Sequence, residues 1–480
     1  MPAPSAAQKR EVSIDGIADR IRWLPTAPAG PADLDGRITN HAMVVWGQQD
    51  SQEDNYLVVH DLVITTRGNS VLRLEEEVVA AFTYQGKMTD LHVCDQGGGQ
   101  VTVLMGTTEG SLHLLRLRMP RTPGAGPKEV QLLEPPQGWP GPGGSRQQGA
   151  ERGSGEEGEL GVWLRPHRGA VAAVDMQQDT KNILTAGADG SLFVLDVEEV
   201  AAAASAAAVS AASAMDADGD ADGMAVDTMD TGEQRRGGAA GGGGALPPGM
   251  APYKAGTGCL GYTCARWVDR SLFVTSRTVG GLEMWDVRCP PTPVSRSPQE
   301  WGATGLGPAD RGCHRVIHSL QVHPSRPDMC ASGGSGGSVA LWDLRAASRP
   351  LALTQLDVAA GPVWEVRFDT REGAQYGADA SGGQHAPLPS VLFCTEDGAL
   401  CRVSAAEAAA AAASQPQAFG RTHVPAELTW QQERHGGRRG GPQVLTQLPA
   451  AINSFDIGGP FGTDVVAVTG RQTLMYMATP

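Results

Sequence analysis

A short β-strand pattern recurs seven times along this chain and limits its fold more than any other feature. Each copy is a run of alternating apolar residues that follows a tight turn containing glycine or an acidic residue. The clearest copies are GSLFVLDVE (190–198), GGLEMWDVR (280–288) and GGSVALWDLR (336–345). Weaker copies are DNYLVVHDL (54–62), GSLHLLRLR (110–118), GALCRVSA (398–405) and RQTLMYMA (471–478). Such internal repetition is typical of architectures whose units must pack on their neighbours.

The residues around each copy predict a small antiparallel meander. Most copies follow another β-rich run through a turn such as Asp-Gly or Gly-Gly, which suits a tight hairpin. A third apolar run lies upstream of most hairpins, for example AVAAVDM (170–176) and HSLQVHP (318–324). Packing such sheets radially around an axis buries both of their faces and leaves only short edges. The sequence therefore predicts an all-β fold, a seven-bladed β-propeller with long disordered loop insertions.

Four segments interrupt the spacing of roughly 40–45 residues that a blade requires. They are a Pro/Gly-rich insertion (119–165), an Ala/Asp/Gly-rich insertion (198–258), a loop insertion (370–389) and a low-complexity insertion (405–442). These compositions bury too little apolar surface to offset chain entropy. We expect residues 10–480 to form a single propeller, in which an N-terminal strand at about 12–25 completes the last blade and closes the ring.

The charge and cysteine content exclude several classes of protein. The chain has 38 Lys and Arg against 53 Asp and Glu, a net charge of -15 that disfavours direct contact with nucleic acid. Its eight cysteines form no Cys-x-x-Cys pair, so we expect reduced thiols and no zinc site. The N-terminal residues show no secretory signal, and the longest weakly apolar run (200–214) is too short to span a bilayer. We therefore expect no direct insertion into a membrane.

Three short motifs suggest chemistry but have simpler explanations. DGDADG (218–223) resembles the start of a calcium loop, yet Met229 occupies the position that requires a bidentate Glu. Arg434, Arg438 and Arg439 lie among glycines like an RNA-binding segment, but the cluster is short and the chain is acidic. The chain has no H-E-x-x-H, and its glycine-rich GGSGG run (333–337) is followed by another strand pattern instead of a helix, which favours a hairpin turn. The sequence thus predicts a non-enzymatic protein with no catalytic residues, no cofactor and no metal.

The repeats resemble those of the WD40 family, most clearly at the Trp-Asp pairs in the fourth and fifth copies. The family's tetrad of His, Ser or Thr, Asp and Trp is incomplete here, because Leu195 replaces the Trp in blade three and Gly336 replaces the Asp in blade five. We therefore expect apolar packing to stabilise the blades more than this network does. The resemblance assigns repeat positions to His167, Thr185, Asp189, Asp196, Trp285, Asp286, Ser332, Trp342, Asp343 and Asp397.

A closer resemblance is to the nucleoporin forty-three family, a group of small WD40-repeat nucleoporins. The matching stretches are IRWLP (21–25), LEMWDVR (282–288), VHPSRPDMCASGG with SVALWDLR (322–345), GPVWEVRFD (361–369), LFCTEDGAL (392–400) and INSFDI (452–457). The run VWEVRFD followed by FCTEDG is the most specific, because Trp364-Glu365-Val366 is not common among WD40 repeats. The resemblance covers most blades and none of the insertions.

The resemblance implies a scaffold subunit of the Y-shaped outer-ring complex of the nuclear pore, located in the nucleus at the nuclear envelope. It implies other nucleoporins as partners, with an α-solenoid nucleoporin of the short arm beside the propeller. Pore assembly, mRNA export and, in animals, kinetochore work are the roles it implies. The chain has only two Phe-Gly dipeptides, at 419–420 and 461–462, which is typical of a scaffold nucleoporin and not of a barrier nucleoporin.

Two other classes of function remain open from the sequence. WD40 substrate adaptors of ubiquitin ligases, and related modules of histone-modifying complexes, often carry Asp-x-Arg after the Trp of the repeat. The segments 286–288 and 343–345 have this form, DVR and DLR. A propeller hydrolase would need histidines or carboxylates that converge on the central channel, and the sequence alone does not locate such a set. The partner-binding residues are likewise unassigned.

Overall fold

Seven β-sheets account for nearly all the regular structure in the computed structural model. The structure describes residues 8–14, 17–25, 35, 37–49, 55–67, 70–119, 130–133, 157–160, 163–200, 251–256, 260–278, 281–297, 316–345, 351–357, 361–369, 389–403, 442–459 and 464–478. Each sheet is antiparallel except where one short strand joins the first. The sheets surround a common axis as a seven-bladed β-propeller, which confirms the fold predicted from the repeats.

Blades one to three take up the N-terminal part of the described chain. Blade one contains β2 (Ile17–Trp23), β3 (Arg37–Gln49), β4 (Asn55–Arg67), β5 (Ser70–Tyr84) and the short β10 (Glu157–Glu159). Blade two contains β6 (Met88–Gly97), β7 (Gln100–Thr107), β8 (Leu112–Arg118) and β9 (Gln131–Leu133). Blade three contains β11 (Val171–Met176), β12 (Asn182–Gly187) and β13 (Leu192–Asp196).

Blades four to seven follow in chain order, apart from one N-terminal strand. Blade four contains β14 (Tyr262–Trp267), β15 (Leu272–Arg277), β16 (Leu282–Asp286) and β17 (Ser295–Arg296), and blade five contains β18 (Ile317–His323), β19 (Arg326–Gly334), β20 (Ser338–Asp343) and β21 (Leu351–Asp357). Blade six contains β22 (Val363–Phe368), β23 (Val391–Thr395), β24 (Ala399–Val403) and β25 (Gln443–Gln447). Blade seven contains β26 (Ile452–Gly458), β27 (Asp464–Thr469), β28 (Thr473–Ala478) and β1 (Gln8–Ser13).

The first strand of each blade lies innermost, and these seven strands form a closed ring. Each innermost strand packs against the innermost strand of the next blade, and β26 of blade seven packs against β2 of blade one. Neighbouring innermost strands run in the same direction, as the contacts between β2 and β6 show. Arg20 Nε donates to Thr89 O at 3.2 Å, and two residues further along both strands Arg22 Nε donates to Leu91 O at 3.0 Å. We call the face at which these strands begin the upper face.

The hydrophobic core lies between the blades. Seven clusters of buried apolar residues fill the seven interfaces between neighbouring blades, one cluster to each interface. The alternating apolar pattern explains this arrangement, since a strand with apolar side chains on both faces buries one set against each neighbour. At the junction of blades seven and one, for example, Trp46 and Tyr476 are both fully buried in one cluster.

Strands from the two ends of the chain pair in blade seven. β1 pairs with β28 from Gln8 opposite Ala478 to Ser13 opposite Thr473. The sequence analysis places the completing strand at about 12–25, whereas the structure has it earlier, at 8–13, and residues 17–23 form β2 of blade one. The difference arises because residues 17–23 are largely buried, as an innermost strand must be, while residues of β1 are largely exposed at the outer edge.

Parts of the expected insertions join the blades. Within 119–165, β9 extends blade two and β10 pairs in parallel with β5 of blade one. Within 198–258, Lys254 forms a β-bridge with Leu192 of blade three. Most of the remaining residues of these insertions, and nearly all of 370–389 and 405–442, lie outside the described residues. Among the residues that the structure does describe, no helix has the length and apolar character to cross a membrane.

The turn before the third strand of the blade repeats the same backbone conformation. In blades two to six the residue at this position has φ between 69° and 83°, and it is glycine each time, at Gly110, Gly190, Gly281, Gly337 and Gly398. Blade seven has Gln472 there, with φ of 57°. Glycine adopts this left-handed region without steric cost. The requirement explains why glycine precedes five of the seven repeat copies.

Candidate functional site

All seven innermost strands carry a β-bulge at the same place near the upper face. In each strand, the pairing with the next strand of the blade skips one residue, because the register shifts there. A bulge redirects the side chain of its extra residue. The extra residues are half-buried, whereas the residue before each of them is buried. We call these seven residues the bulge ring: Asp19, Thr89, Ala172, Thr263, His318, Trp364 and Asn453.

Several side chains of the bulge ring bridge neighbouring blades. The contacts are Thr89 Oγ1 to Val171 O at 2.5 Å, Asn453 Nδ2 to Ala18 O at 2.9 Å, and Lys87 Nζ to Asp19 Oδ1 at 3.4 Å. Burial raises the pKa of Asp19, and the nearby ammonium of Lys87 opposes that rise. These contacts hold the upper face in one arrangement, so a partner would meet a preformed surface.

Trp364 and His318 form an aromatic pair in the bulge ring across blades six and five. Their ring centroids lie 4.8 Å apart with 36° between the planes, and Trp364 Nε1 donates a hydrogen bond to Glu396 Oε2. Burial and the neighbouring Arg20 lower the pKa of His318, so its ring is neutral at physiological pH. Trp is enriched among the residues that dominate binding energy at protein interfaces. The pair is therefore the strongest candidate for a partner-binding anchor on this face.

Below the upper face, a buried ion-pair network joins three blades. Glu365 Oε1 accepts from Arg22 Nη2 at 2.9 Å and from Arg367 Nη2 at 2.8 Å, while its other oxygen accepts from Ser454 Oγ at 2.6 Å. Side chains of Arg22 and Glu365 are only 7% and 5% exposed. Burial alone would raise the pKa of Glu365, but the two guanidinium groups outweigh burial and lower it to about 2.

A second network lies across blades two, three and four. Arg266 Nη1 lies 3.1 Å from Asp90 Oδ2, and His92 Nδ1 lies 3.0 Å from Asp175 Oδ1. Burial would raise the pKa of Asp90, but Arg266 and other cations lower it to about 2. The carboxylate is therefore held ionised in the interior. Both networks occupy the polar centre of the ring, with the apolar clusters farther out between the blades.

Carboxylates of the two networks, and Asp456 beside Arg367 Nε at 3.7 Å, also satisfy backbone groups of adjacent innermost strands. An innermost strand has one edge outside its own sheet, and buried N–H groups on that edge require acceptors. The hydrogen bonds are Val174 N to Asp90 Oδ2 at 3.0 Å, Trp267 N to Asp175 Oδ2 at 2.7 Å, Phe455 N to Glu365 Oε2 at 3.2 Å and Trp23 N to Asp456 Oδ2 at 3.0 Å. Each acidic residue thus links one blade to the next.

The repeat positions assigned in blade three come together as a local network. His167 Nε2 lies 2.8 Å from Thr185 Oγ1, and His167 Nδ1 lies 3.3 Å from Asp189 Oδ1. Ser191 Oγ is also 2.8 Å from His167 Nδ1, a contact that the sequence analysis did not include. Leu195, which replaces the family's Trp, is buried in the cluster between blades two and three. Apolar packing therefore takes the place of the missing indole hydrogen bond.

The two tryptophans of the Trp-Asp pairs each donate to a hydroxyl in the preceding strand. Trp285 Nε1 donates to Thr275 Oγ1 at 2.9 Å, and Trp342 Nε1 donates to Ser332 Oγ at 2.8 Å. The sequence analysis named Ser332 but missed Thr275. The sequence spacing could have identified Thr275, because Thr275 and Ser332 both lie ten residues before their tryptophans.

The aspartates of the Trp-Asp pairs bind arginines two residues later. Asp286 Oδ2 and Arg288 Nη2 are 2.7 Å apart, as are Asp343 Oδ2 and Arg345 Nη2. Both arginine side chains are 70% exposed. These pairs lie at the ends of the third strands of blades four and five. The assigned Asp-x-Arg positions are therefore surface features away from the bulge ring.

The last two assigned positions stabilise local turns. Asp196 Oδ1 accepts from Glu198 N at 2.7 Å, and Asp397 accepts from Thr395 Oγ1 in the turn between β23 and β24. The ten assigned residues are spread over blades three to six and do not meet in a single site. Within the described part of the chain, no group of three or more His, Cys, Asp or Glu side chains is arranged to hold a metal. Residues 218–223 and the arginines at 434–439 lie outside the described residues.

The bulge ring escaped the sequence analysis, apart from Trp364 within WEV. A usable signal exists, because each bulged residue directly follows the first buried residue of the first strand of a blade. Recognising that signal requires the blade boundaries and the register, and both come from pairing between distant residues. The partners of Glu365 lie on three different strands and carry no local pattern.

No protein-family model matches this chain. Curated proteins do match it. The chain is 23% identical to "Nuclear pore complex protein NUP43" of Arabidopsis thaliana over 476 residues, which cover 96% of this chain and 95% of that protein. It is 27% identical to mouse "Nucleoporin Nup43" over 215 residues, 41% of this chain and 49% of that protein. It is 27% identical to human "Nucleoporin Nup43" over 128 residues, 26% of each chain.

The similarity to the plant protein extends over nearly the whole of both chains. It agrees with the resemblance found in the VWEVRFD and FCTEDG stretches. Together with the seven-bladed propeller, the three similarities support the assignment of this chain to the Nup43 family of nucleoporins.

Proposed function

We propose that this chain is a non-enzymatic scaffold subunit of the Y-shaped outer-ring complex of the nuclear pore. Its propeller would serve as a platform for protein–protein interaction in pore architecture and in nucleocytoplasmic transport, including mRNA export. The names of the curated relatives and the propeller fold support a scaffold role in the pore. The proposed location is accordingly the nuclear pore complex at the nuclear envelope.

The observation that carries this proposal is the match to a nuclear pore protein across 96% of the chain. The most specific part of the resemblance, Trp364-Glu365, has two structural uses in this propeller. Trp364 lies in the bulge ring at the upper face, and Glu365 anchors the buried network that joins blades one, six and seven. One dipeptide thus presents a candidate anchor and stabilises the surface around it.

The proposed partners are other nucleoporins, and the first candidate is an α-solenoid nucleoporin of the short arm. The upper face suits such a partner because its side chains are held by contacts between blades and need little ordering when a partner binds. Preorganisation lowers the entropic cost of association. We propose that Trp364 and His318 provide the central contact on this face, since a few aromatic anchors carry most of the energy of an interface.

Affinity purification with mass spectrometry, combined with imaging of a tagged full-length chain, tests the proposal. We expect a signal at the nuclear rim and recovery of several outer-ring nucleoporins. Recovery of cullin-ligase components without nucleoporins would contradict it, and so would a tagged chain absent from the rim.

A substrate adaptor is the second candidate, and the exposed Asp-x-Arg arginines are the observation that favours it. Arg288 and Arg345 lie on neighbouring blades, and both side chains are 70% exposed. The double substitution Arg288→Ala and Arg345→Ala separates the two candidates. An adaptor would lose its ligase partner, whereas the scaffold would retain its nucleoporins because these arginines are remote from the bulge ring.

A further inference from the structure

Three cations lie together at the upper face between blades three and four. Arg277 ends β15 and Arg296 ends β17. Lys254 forms a β-bridge with Leu192, the first residue of β13. These positions are all at the upper ends of their strands, because the first strand of a blade begins at the upper face and the following strands alternate in direction. We call Lys254, Arg277 and Arg296 the basic cluster. Such a cluster requires explanation in a chain with a net charge of -15.

Glu283 is the one carboxylate that contacts the basic cluster in the described part of the chain. Its Oε2 accepts from Arg277 Nε at 3.0 Å, and its Oε1 lies 3.2 Å from Arg296 Nε. Lys254 has no carboxylate partner among the described residues. Its Nζ donates instead to Tyr262 Oη at 2.8 Å, and Arg277 Nη2 donates to the same oxygen at 3.3 Å. Three cations therefore lie beside a single carboxylate.

Tyr262 does not supply the missing negative charge. Its side chain is buried, and burial raises the pKa of its hydroxyl, so the group is neutral at physiological pH. Burial also lowers the pKa of Lys254, and the neighbouring Arg277 lowers it further because like charges repel, although Glu283 opposes this shift. An added anion would relieve the repulsion between Lys254 and Arg277.

The adjoining turn of blade three does not neutralise the basic cluster. The chain just after Lys254 packs on this turn, since a Cβ added to Gly256 would lie 2.3 Å from Asp189 O. Asp189 Oδ1 accepts from Ser191 Oγ at 2.5 Å, and Asp189 Oδ2 accepts from Arg168 N at 2.9 Å. These hydrogen bonds hold its carboxylate within blade three. The cluster is also accessible, because Lys254 is half-buried and the side chain of Arg296 is 63% exposed.

We propose that Lys254, Arg277 and Arg296 bind the carboxylates of an acidic segment in a partner protein. A guanidinium group recognises a carboxylate through directed hydrogen bonds, and an ammonium group adds a point charge. A short run of Asp or Glu residues would complement the surplus positive charge. A long polyanion such as a nucleic acid fits less well, because the rest of this acidic chain would repel it. The proposal does not depend on the assignment to the nuclear pore.

A fluorescently labelled hexaglutamate peptide is a suitable probe, and anisotropy measures its binding to the full-length chain. We expect saturable binding that weakens as salt is added. The double substitution Lys254→Gln and Arg296→Gln should weaken binding by at least about tenfold, equivalent to about 1.4 kcal/mol. The matched control is the double substitution Arg270→Gln and Arg288→Gln. It changes the net charge by the same amount at the lower end of blade four, where the two side chains are 75% and 70% exposed.

Carbodiimide cross-linking locates the bound peptide, because the reagent joins a carboxylate to a lysine amine that lies beside it. Mass spectrometry of the digested chain should find hexaglutamate attached to Lys254. The control variant should give the same cross-link as wild type.

Several results would overturn the proposal. An equal loss of affinity in the control variant would indicate attraction by net charge alone. No binding to the wild-type chain, or cross-links confined to other lysines, would also contradict it. Equal affinity for a single-stranded oligonucleotide of the same charge would indicate a general anion site. Much tighter binding after deletion of the acidic run at 216–230 would make that run the occupant. Arg296→Gln alone keeps the test valid if the double variant unfolds, because this side chain is largely exposed.

Discussion

Arg22 of blade one and Glu365 of blade six form a 2.9 Å ion pair, although blade seven lies between their blades in the ring. Ser454 of blade seven contacts both, since its Oγ accepts from Arg22 Nη1 at 3.1 Å and donates to Glu365 Oε2 at 2.6 Å. The first, sixth and seventh blades thus meet at one buried point. The ring is closed there from the inside, while the pairing of β1 with β28 closes it from the outside.

The substitution Glu365→Gln should destabilise the propeller strongly. Glutamine preserves the shape of the side chain but removes the ion-pair partner of the buried Arg22 guanidinium and leaves Arg367 with only the longer contact to Asp456, at 3.7 Å. Breaking a buried ion pair by removing one partner costs about 3–5 kcal/mol. Urea unfolding followed by circular dichroism measures the change in free energy of unfolding.

The control for this substitution is Arg270→Gln, which breaks an ion pair at the surface. Arg270 lies 2.9 Å from Asp179, but the two side chains are 75% and 55% exposed. Exposed pairs contribute little to stability. We expect Arg270→Gln to have the same urea midpoint as wild type. If Glu365→Gln also had the wild-type midpoint, the role given to Glu365 would be refuted.

Acid should destabilise the protein between the ordinary carboxylate range and about pH 2. The pKa values of Glu365 and Asp90 are both lowered to about 2 in the folded protein. As the pH falls, the unfolded chain takes up protons before these two carboxylates do. The stability that they contribute is thus complete above their unfolded pKa values and is lost as the pH approaches 2. Urea midpoints measured from neutral pH downward should show a smaller acid dependence in Glu365→Gln than in wild type.

The turn glycines allow a paired test of the repeat. Gln472→Gly should stabilise the protein by about 0.5–1 kcal/mol, because a left-handed conformation costs a non-glycine residue about 1–2 kcal/mol and glycine's extra entropy offsets part of the gain. Gly398→Ala should destabilise it, since φ is 83° and an added Cβ would collide with the carbonyl oxygens of Leu448 and Ala450. Thermal unfolding of the two variants checks both signs. If both variants were more stable than wild type, or both were less stable, the two turns would not be equivalent.

Trp364→Ala should weaken binding to the proposed nucleoporin partner by about 30-fold or more, which corresponds to a hot-spot loss of about 2 kcal/mol. The anchor role assigned to Trp364 would then account for the loss. Val444→Ala is the control on the same blade, because it removes an exposed apolar side chain from the outer strand. Calorimetry or surface plasmon resonance measures the affinity of each variant for the partner. Unfolding midpoints show whether each variant is folded. Unchanged affinity in Trp364→Ala would place the interface elsewhere.

Local patterns in the sequence predict the blades because the fold repeats them. A glycine turn, an alternating strand and an upstream apolar run recur in each unit, so the fold class and the number of blades follow from the residues. The extent of β1 does not follow, since QKREVS is polar and resembles a loop until β28 provides its partner. Strand pairing at the edge of a sheet depends on distant residues and leaves little local trace.

The candidate site was less accessible from the sequence than the fold. Trp364 stood out because its neighbours are unusual for the repeat, but His318 became a candidate only when the ring placed it 4.8 Å from that indole. Glu365 gains its partners from three blades, and those contacts separate residues by up to several hundred positions. Such relationships depend on the closed ring and therefore on tertiary structure.

The register between β1 and β28 has a mechanical consequence. Gln8 lies opposite Ala478, so both chain ends leave blade seven at the same end of the pair. Tension between the two termini would therefore peel this pair apart one hydrogen bond at a time instead of loading all of them together. A force applied to the outer surfaces of the blades does not pull directly on the β1–β28 pair. The propeller would therefore resist such a force better than a force applied at its two termini.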